Sequence, residues 1–195
     1  MAETSQTSVA VLVSGSGTLL QAILDHQGSY RVDLVVADVE CPALDRARSA
    51  GVRAEVVPLS GDRAEWNRQL ADTVASAEPG VVVSAGFMRI VGEAFLARFE
   101  GRLINTHPAL LPSFPGAHAV RDALAYGVKV TGTTVHYIDA GVDTGEIIAQ
   151  RAVDVRAGET EEDLHERIKE VERALIVDTL NRAVTSTNGK VEFPA

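Results

Sequence analysis

The chain has 195 residues, of which 46% are apolar and 23% charged, with a formal net charge of −9 and one cysteine. This is enough apolar material for one ordinary core, and the acidic balance excludes a basic surface built for sequence-independent nucleic-acid binding, though not a local pocket for a small anion. Cys41 alone can close no intrachain disulfide, which fits a reducing compartment, and no apolar run approaches the ~20 residues of a membrane helix.

Met1 to Ser8 is polar and lacks a basic stretch leading into an apolar one, so it reads as a short extension rather than a secretory leader. Residues 9–195 read as a single domain. Val9 to Val13 is a β-branched run that stops at Ser14-Gly15-Ser16-Gly17, and a helical pattern with Leu20, Ile23 and Leu24 on one face follows. Val32 to Val39 predicts a second strand, Pro42 to Ala50 a helix closed by Gly51, and Val52 to Val57 a third strand. Asp62 and Glu65 have capping-box spacing ahead of Trp66, Leu70 and Val74. Pro79-Gly80 ends that helix, and Val81 to Ser84 is a fourth, apolar strand. Apolar strands separated by amphipathic helices predict a doubly wound α/β fold, its mostly parallel sheet covered on both faces. Gly92 to Phe99 predicts a short helix and Arg102 to Asn105 a strand. The pattern then changes: Lys129 to Ile138 and Glu146 to Val155 are strands joined by a Gly- and Asp-rich loop. Thr160 to Ala183 is a long helix with Leu164, Ile168, Val171 and Leu175 as its buried stripe.

Four segments could carry chemistry. The turn Ser14-Gly15-Ser16-Gly17-Thr18 offers backbone N–H groups and a helix N-terminus, which attract anions. Leu20 stands where a dinucleotide fingerprint needs its third glycine, and there is no Gly-Lys pair for a P-loop. One phosphate therefore suits the turn better than NAD or ATP. In Asn105-Thr106-His107-Pro108 a strand ending in Asn-x-His sends both side chains to one side of the sheet's carboxyl edge, where ligands bind. Asp139 to Glu146 holds acidic residues among glycines; such residues are ordinarily turn formers, yet one carboxylate could fold back onto His107 and favour its charged form. Phe87, Met88 and Ile90 flank Arg89, which has no charge partner nearby in sequence: either an exposed arginine beside a core entry, or an apolar slot for a flat ring. Of the other histidines, His118 could line a substrate pocket, His136 reads as a satisfied core residue, and His26 and His165 read as surface residues.

Taken in order, Ser-Gly-x-Gly, Gly-Phe-Met-Arg-Ile, Asn-x-His-Pro-x-Leu-Leu-Pro and Gly-Val-Asp-Thr-Gly resemble the phosphoribosylglycinamide formyltransferase family, from about Val9 to about Leu180. The resemblance implies a Rossmann-like formyltransferase fold. It also implies direct formyl transfer from 10-formyltetrahydrofolate, as co-substrate, to glycinamide ribonucleotide in purine biosynthesis, with no metal. It makes Asn105, His107 and Asp143 the catalytic residues. It gives the substrate Gly15, Ser16, Gly17, Thr18 and Leu19, with Glu172 on the ribose. It gives the folate Arg63, Met88, Arg89, Ile90 and Val91, Asn105, and the loop Ala140, Gly141, Val142 and Asp143. One departure stands out: the family's turn commonly reads Gly-Ser-Asn, whereas here it is Gly17-Thr18-Leu19, so the phosphate is left with backbone N–H groups and the Thr18 hydroxyl. The expected partners are two small molecules, without nucleic acid or membrane, in the cytoplasm; a homodimer is allowed.

The residue types suit that chemistry. An amine attacks a formyl carbon, and Asn105 and a protonated His107 can donate to the oxygen on which charge develops. Three rivals differ. A formyltetrahydrofolate hydrolase and a methionyl-tRNA formyltransferase each usually carry an additional domain, for which the length leaves no room. A phosphate-binding module would keep the glycine turn but has no use for Asn105, His107 and Asp143.

Overall fold

Runs such as Val9–Val13 and Val81–Val83 contain no polar residue, so they are stable only where both faces of the strand are covered. The computed structural model, which describes residues 6–59, 61–186 and 189–194, covers them in this way. Strand β1 (Thr7–Val13) leads through helix α1 (Thr18–Asp25) to β2 (Tyr30–Ala37), and α2 (Pro42–Ser49) leads to β3 (Arg53–Val56). The chain then returns through α3 (Arg63–Ala75) to β4 (Val81–Ser84) and through α4 (Glu93–Arg98) to β5 (Leu103–His107). Helix α5 (Ala119–Tyr126) precedes β6 (Val130–Tyr137) and β7 (Ile147–Asp154), and α6 (Glu161–Asn181) closes the layer. Two-residue strands β8 (Val184–Thr185) and β9 (Val191–Glu192) form a separate ribbon.

The main sheet has the order β3-β2-β1-β4-β5-β6-β7. Its first five strands are parallel, while β6 and β7 are antiparallel additions. The expected doubly wound, mostly parallel architecture is present. The strand order reverses between β1 and β4, and crevices for ligands open at the carboxyl ends of strands at such a point. Alternation along β1 shows the two covering layers. Val9, Val11 and Val13 join a core with Leu20, Ile23, Leu44, Leu175 and Ile176; Ala10 and Leu12 join one with Trp66, Leu70, Phe95 and Phe99. Each large side chain so buried contributes roughly 1.5–3 kcal/mol. Trp66 loses no hydrogen bond in the process, since its Nε1–H donates to the Val57 carbonyl at 2.9 Å.

The differences from the sequence reading are local. β1 begins at Thr7 rather than Val9, because Thr7 and Ser8 pair with Tyr30 and Arg31 of β2. The capping box at α3 is half made: the Asp62 carboxylate accepts the Ala64 N–H at 2.7 Å, while Glu65 turns to Arg68 and Gln69. β5 runs on to His107. The sequence reading has no helix at α5, whose eight residues follow a proline-rich loop. Its Val120 and Leu124 are held by Val153, Leu164 and Ile168 rather than by strong local propensity.

Candidate active site

The period of a strand decides which side chains of β5 can meet. Leu103 faces the α3 and α4 layer, and Ile104 faces the α1 and α6 layer. Asn105 and His107 therefore share the first side, and Thr106 the second. Thr106 reaches α6, where its hydroxyl bonds the Glu172 carboxyl. Burial pushes the Glu172 carboxyl above the usual carboxylate range, and the Thr106 hydroxyl only partly offsets this.

His107 is buried. Its Nε2 lies 2.8 Å from the Phe114 carbonyl, and its Nδ1 lies 3.3 Å from Asp143 Oδ2. Both neighbours are acceptors, so only the imidazolium can offer an N–H to each. Asp143 comes from the loop between β6 and β7, folded back by Asp139. One Asp139 oxygen accepts from the Gly141 N–H at 3.0 Å and the Thr144 hydroxyl at 2.7 Å. Gly145 permits the fold-back, because a Cβ there would lie 1.8 Å from the Tyr137 carbonyl oxygen. The Gly116 N–H fixes the Asp143 carboxylate from the other side, at 2.7 Å. The sequence-distant pair thus meets, as the resemblance implies.

His136 is the residue that the sequence reading left out of the site. The antiparallel register sets it directly opposite Asn105. Its Nδ1 donates to the Tyr137 carbonyl at 2.9 Å, and burial pushes its pKa below the ordinary histidine value despite the nearby Asp143. The ring is therefore neutral, with Nε2 as an acceptor for the Asn105 amide N–H at 3.4 Å. The 3.7 Å approach of Nε2 to Asp143 Oδ1 is then a contact with a neutral ring and not an ion pair. Only the register of β5 on β6 could have signalled this, and the sequence does not state it.

Above this floor lies a cleft. Asn105, His136 and Asp143 form its polar base, while Phe87, Val91, Leu103 and Ile138 line it with apolar surface. Ala140, Gly141 and Val142 form one lip, and Arg89 and Ile90 the other. His107 does not line the cleft; it sits behind Asp143 and Phe114. Met88 and Ile90 are 77% and 75% exposed at the mouth. Arg63 lies outside the cleft, in an adjoining groove, with Nη2 donating to the Ile90 carbonyl at 2.6 Å. Arg89, without a partner in the local sequence, has one in the fold: Nε lies 2.6 Å from Asp38 Oδ2.

The glycine turn lies at the same sheet edge, after β1. Gly15, Ser16 and Thr18 are exposed, and the space beside Gly15 is open. The Leu19 side chain is in the core, so only its backbone is available to a ligand. Gly17 caps α1 with φ 72°, and a Cβ there would come within 2.6 Å of Ala43 on α2. Both the left-handed backbone and the packing on α2 therefore call for glycine at this position. His118 is exposed at the start of α5 and does not line the cleft; His26 is exposed, and His165 is half-buried. Among the described residues no group of three or more His, Cys, Asp and Glu is placed to hold a metal ion. No helix among them is long and apolar enough to cross a membrane.

Known proteins share the sequence and the fold of this chain. The formyl transferase family matches residues 7–180. A phosphoribosylglycinamide formyltransferase of Mycobacterium tuberculosis is 53% identical over 186 residues, covering 93% of this chain and 86% of that protein. One from Escherichia coli is 38% identical over 175 residues, covering 86% and 82%. The crystal structure of glycinamide ribonucleotide transformylase 1 from Symbiobacterium toebii superposes with a TM-score of 0.89 at 39% identity, covering 98% of this chain and 95% of that one. The chain belongs to the formyl transferase family, and within it to the phosphoribosylglycinamide formyltransferases.

Proposed function

We propose that this chain moves a formyl group from 10-formyltetrahydrofolate to the amine of glycinamide ribonucleotide, in the cytoplasm and without a metal. The observation that carries the reading is the 3.3 Å approach of His107 to Asp143 beside Asn105, beneath an apolar cleft at the sheet edge. The cleft suits a flat ring lying between Phe87, Val91 and Ile138, with the loop Ala140–Asp143 over it. The nucleotide's phosphate would lie on the N–H groups of Gly15 to Leu19, and its ribose near Glu172. The partners in this reading are these two small molecules, with no nucleic acid, and a homodimer is allowed.

The amine nitrogen forms a bond to the formyl carbon, and the carbonyl π pair moves onto oxygen. The Asn105 amide and the His107 imidazolium donate to that oxygen. His136 holds one Asn105 N–H, which leaves the other for this task. His107 Nε2 must exchange the Phe114 carbonyl for the formyl oxygen, a rearrangement of the kind that unliganded sites commonly complete only with substrate. When the carbonyl re-forms, the bond from carbon to the folate nitrogen breaks. The proton lost by the amine reaches that nitrogen through a water held by Asp143. Each preorganised donor of this type contributes about 3–4 kcal/mol to the barrier reduction. An assay with 10-formyltetrahydrofolate should give formylated nucleotide when glycinamide ribonucleotide is present. Equal release of formate with water alone as acceptor would make the chain a hydrolase instead.

A further inference from the structure

We propose that Asp38 is a positioning residue for the folate slot, acting through Arg89 and Ser14; this rests on the assignment of folate to the cleft. Asp38 follows β2 at the carboxyl edge of the sheet and does not line the cleft, yet its carboxylate is only 2% exposed. One oxygen faces Arg89 Nε at 2.6 Å, and the other accepts the Ser14 hydroxyl at 2.6 Å. Ser14 Oγ in turn accepts the Met88 N–H at 2.9 Å. A single buried carboxylate therefore joins the chain leaving β1, the chain leaving β2 and the segment after β4. Two of these strands, β1 and β4, are the pair between which the sheet order reverses.

The segment after β4 needs such an anchor. Phe87 and Val91 pack on the core at either end of this segment, but Met88 and Ile90 between them are exposed, so the middle of the lip is held by polar contacts. Arg89 is the cation at that lip. With Nε tied to Asp38, the guanidinium plane is fixed and the remaining nitrogens are presented as a fork, the geometry that matches a carboxylate bidentately. Reduced folates carry carboxylates on their glutamate tail. Asp38 also offsets the charge of Arg89 when no ligand is bound. An exposed ion pair contributes little, but a desolvated carboxylate that loses its partner is left uncompensated, so Asp38 and Arg89 must act as one unit.

The test is a steady-state comparison of the parent with Asp38→Asn, Asp38→Ala, Arg89→Ala and the Asp38→Ala/Arg89→Ala double variant, each checked for fold by circular dichroism. Asp38→Asn retains size and an acceptor for Ser14. It should raise the folate KM by about tenfold, as expected for loss of a charge-assisted contact, with the nucleotide KM and kcat within about twofold. In the double variant the Asp38 change should add less than about twofold to the effect of Arg89→Ala, because the two residues share one contact. Ser14→Ala should raise the folate KM by a smaller factor and provides a readout if both Asp38 variants fold poorly. A merely structural Asp38 would lower thermal stability and move both KM values together. Equal rises in both KM values, an unchanged folate KM, or full additivity with Arg89→Ala would overturn the proposal. If Arg89→Ala raises the folate KM while Asp38→Asn is silent, only the role of Asp38 falls. If Arg89→Ala is itself silent, the folate slot falls with it.

Discussion

The turn after β1 and the floor formed by β5 and β6 lie at the same edge of one sheet, yet they are built from different material. The turn offers backbone: Gly15, Ser16 and Thr18 are exposed, and none of their side chains is needed to present an N–H group. The floor offers side chains held at several points each, with His107 between Phe114 and Asp143, and Asn105 against His136. A backbone site tolerates changes of side chain and fails when its conformation changes. A side-chain site fails when a single atom is lost. This difference ranks the consequences of substitution.

The largest losses should come from the floor. Replacing Asn105 or His107 by Ala should lower kcat by about 10²–10³ with the fold retained, as for loss of an oxyanion donor. Rates within tenfold of the parent would show that charge does not develop there. Asp143→Asn should cost on the order of 10² in kcat, since the anion facing His107 is lost while the amide oxygen can still accept the Gly116 N–H. A normal thermal midpoint alongside the lost turnover would separate charge from loop geometry. In the turn, Gly17→Val should act on stability. A β-branched residue at φ 72° adds about 1–3 kcal/mol of strain, apart from the contact with Ala43. Gly15→Ala, which meets open space and leaves the backbone as it is, should change the unfolding free energy by less than about 0.5 kcal/mol and leave nucleotide binding close to that of the parent. A large stability loss at Gly15, or none at Gly17, would break the comparison.

The smallest effect is a pH dependence of stability with opposite signs on the two sides of β5. His136 has a folded pKa below 6.5, so the unfolded chain takes up a proton that the folded ring refuses. Stability should fall as pH drops through 6.5, with the loss complete below the folded value. Glu172 has a folded pKa above 4.5, so its contribution is fully present below 4.5 and is lost as pH rises through the folded value. Thermal unfolding across this range in His136→Gln should show a flatter dependence below 6.5 than the parent. An unchanged slope would mean that His136 is charged in the fold, and that Asn105 is oriented by another group.

The sequence by itself determined most of the elements, α5 apart, and the edge on which the site lies. Uninterrupted apolar strands require cover on both faces, and amphipathic helices between them provide it. The same period of two that builds the sheet sends Asn105 and His107 to one side. These are local consequences of side-chain size, polarity and spacing, so they can be read along the chain. What only the tertiary structure decided are the pairings between distant segments. Asp143 reaches His107 because a glycine loop folds back over the edge, although the order of the motifs suggested that the two meet. His136 joins the floor through a strand register. Arg89 finds Asp38 because parallel strands bring their carboxyl ends together. Each of these depends on which strands neighbour one another and in what register, a choice made by the whole core rather than by the residues that benefit from it.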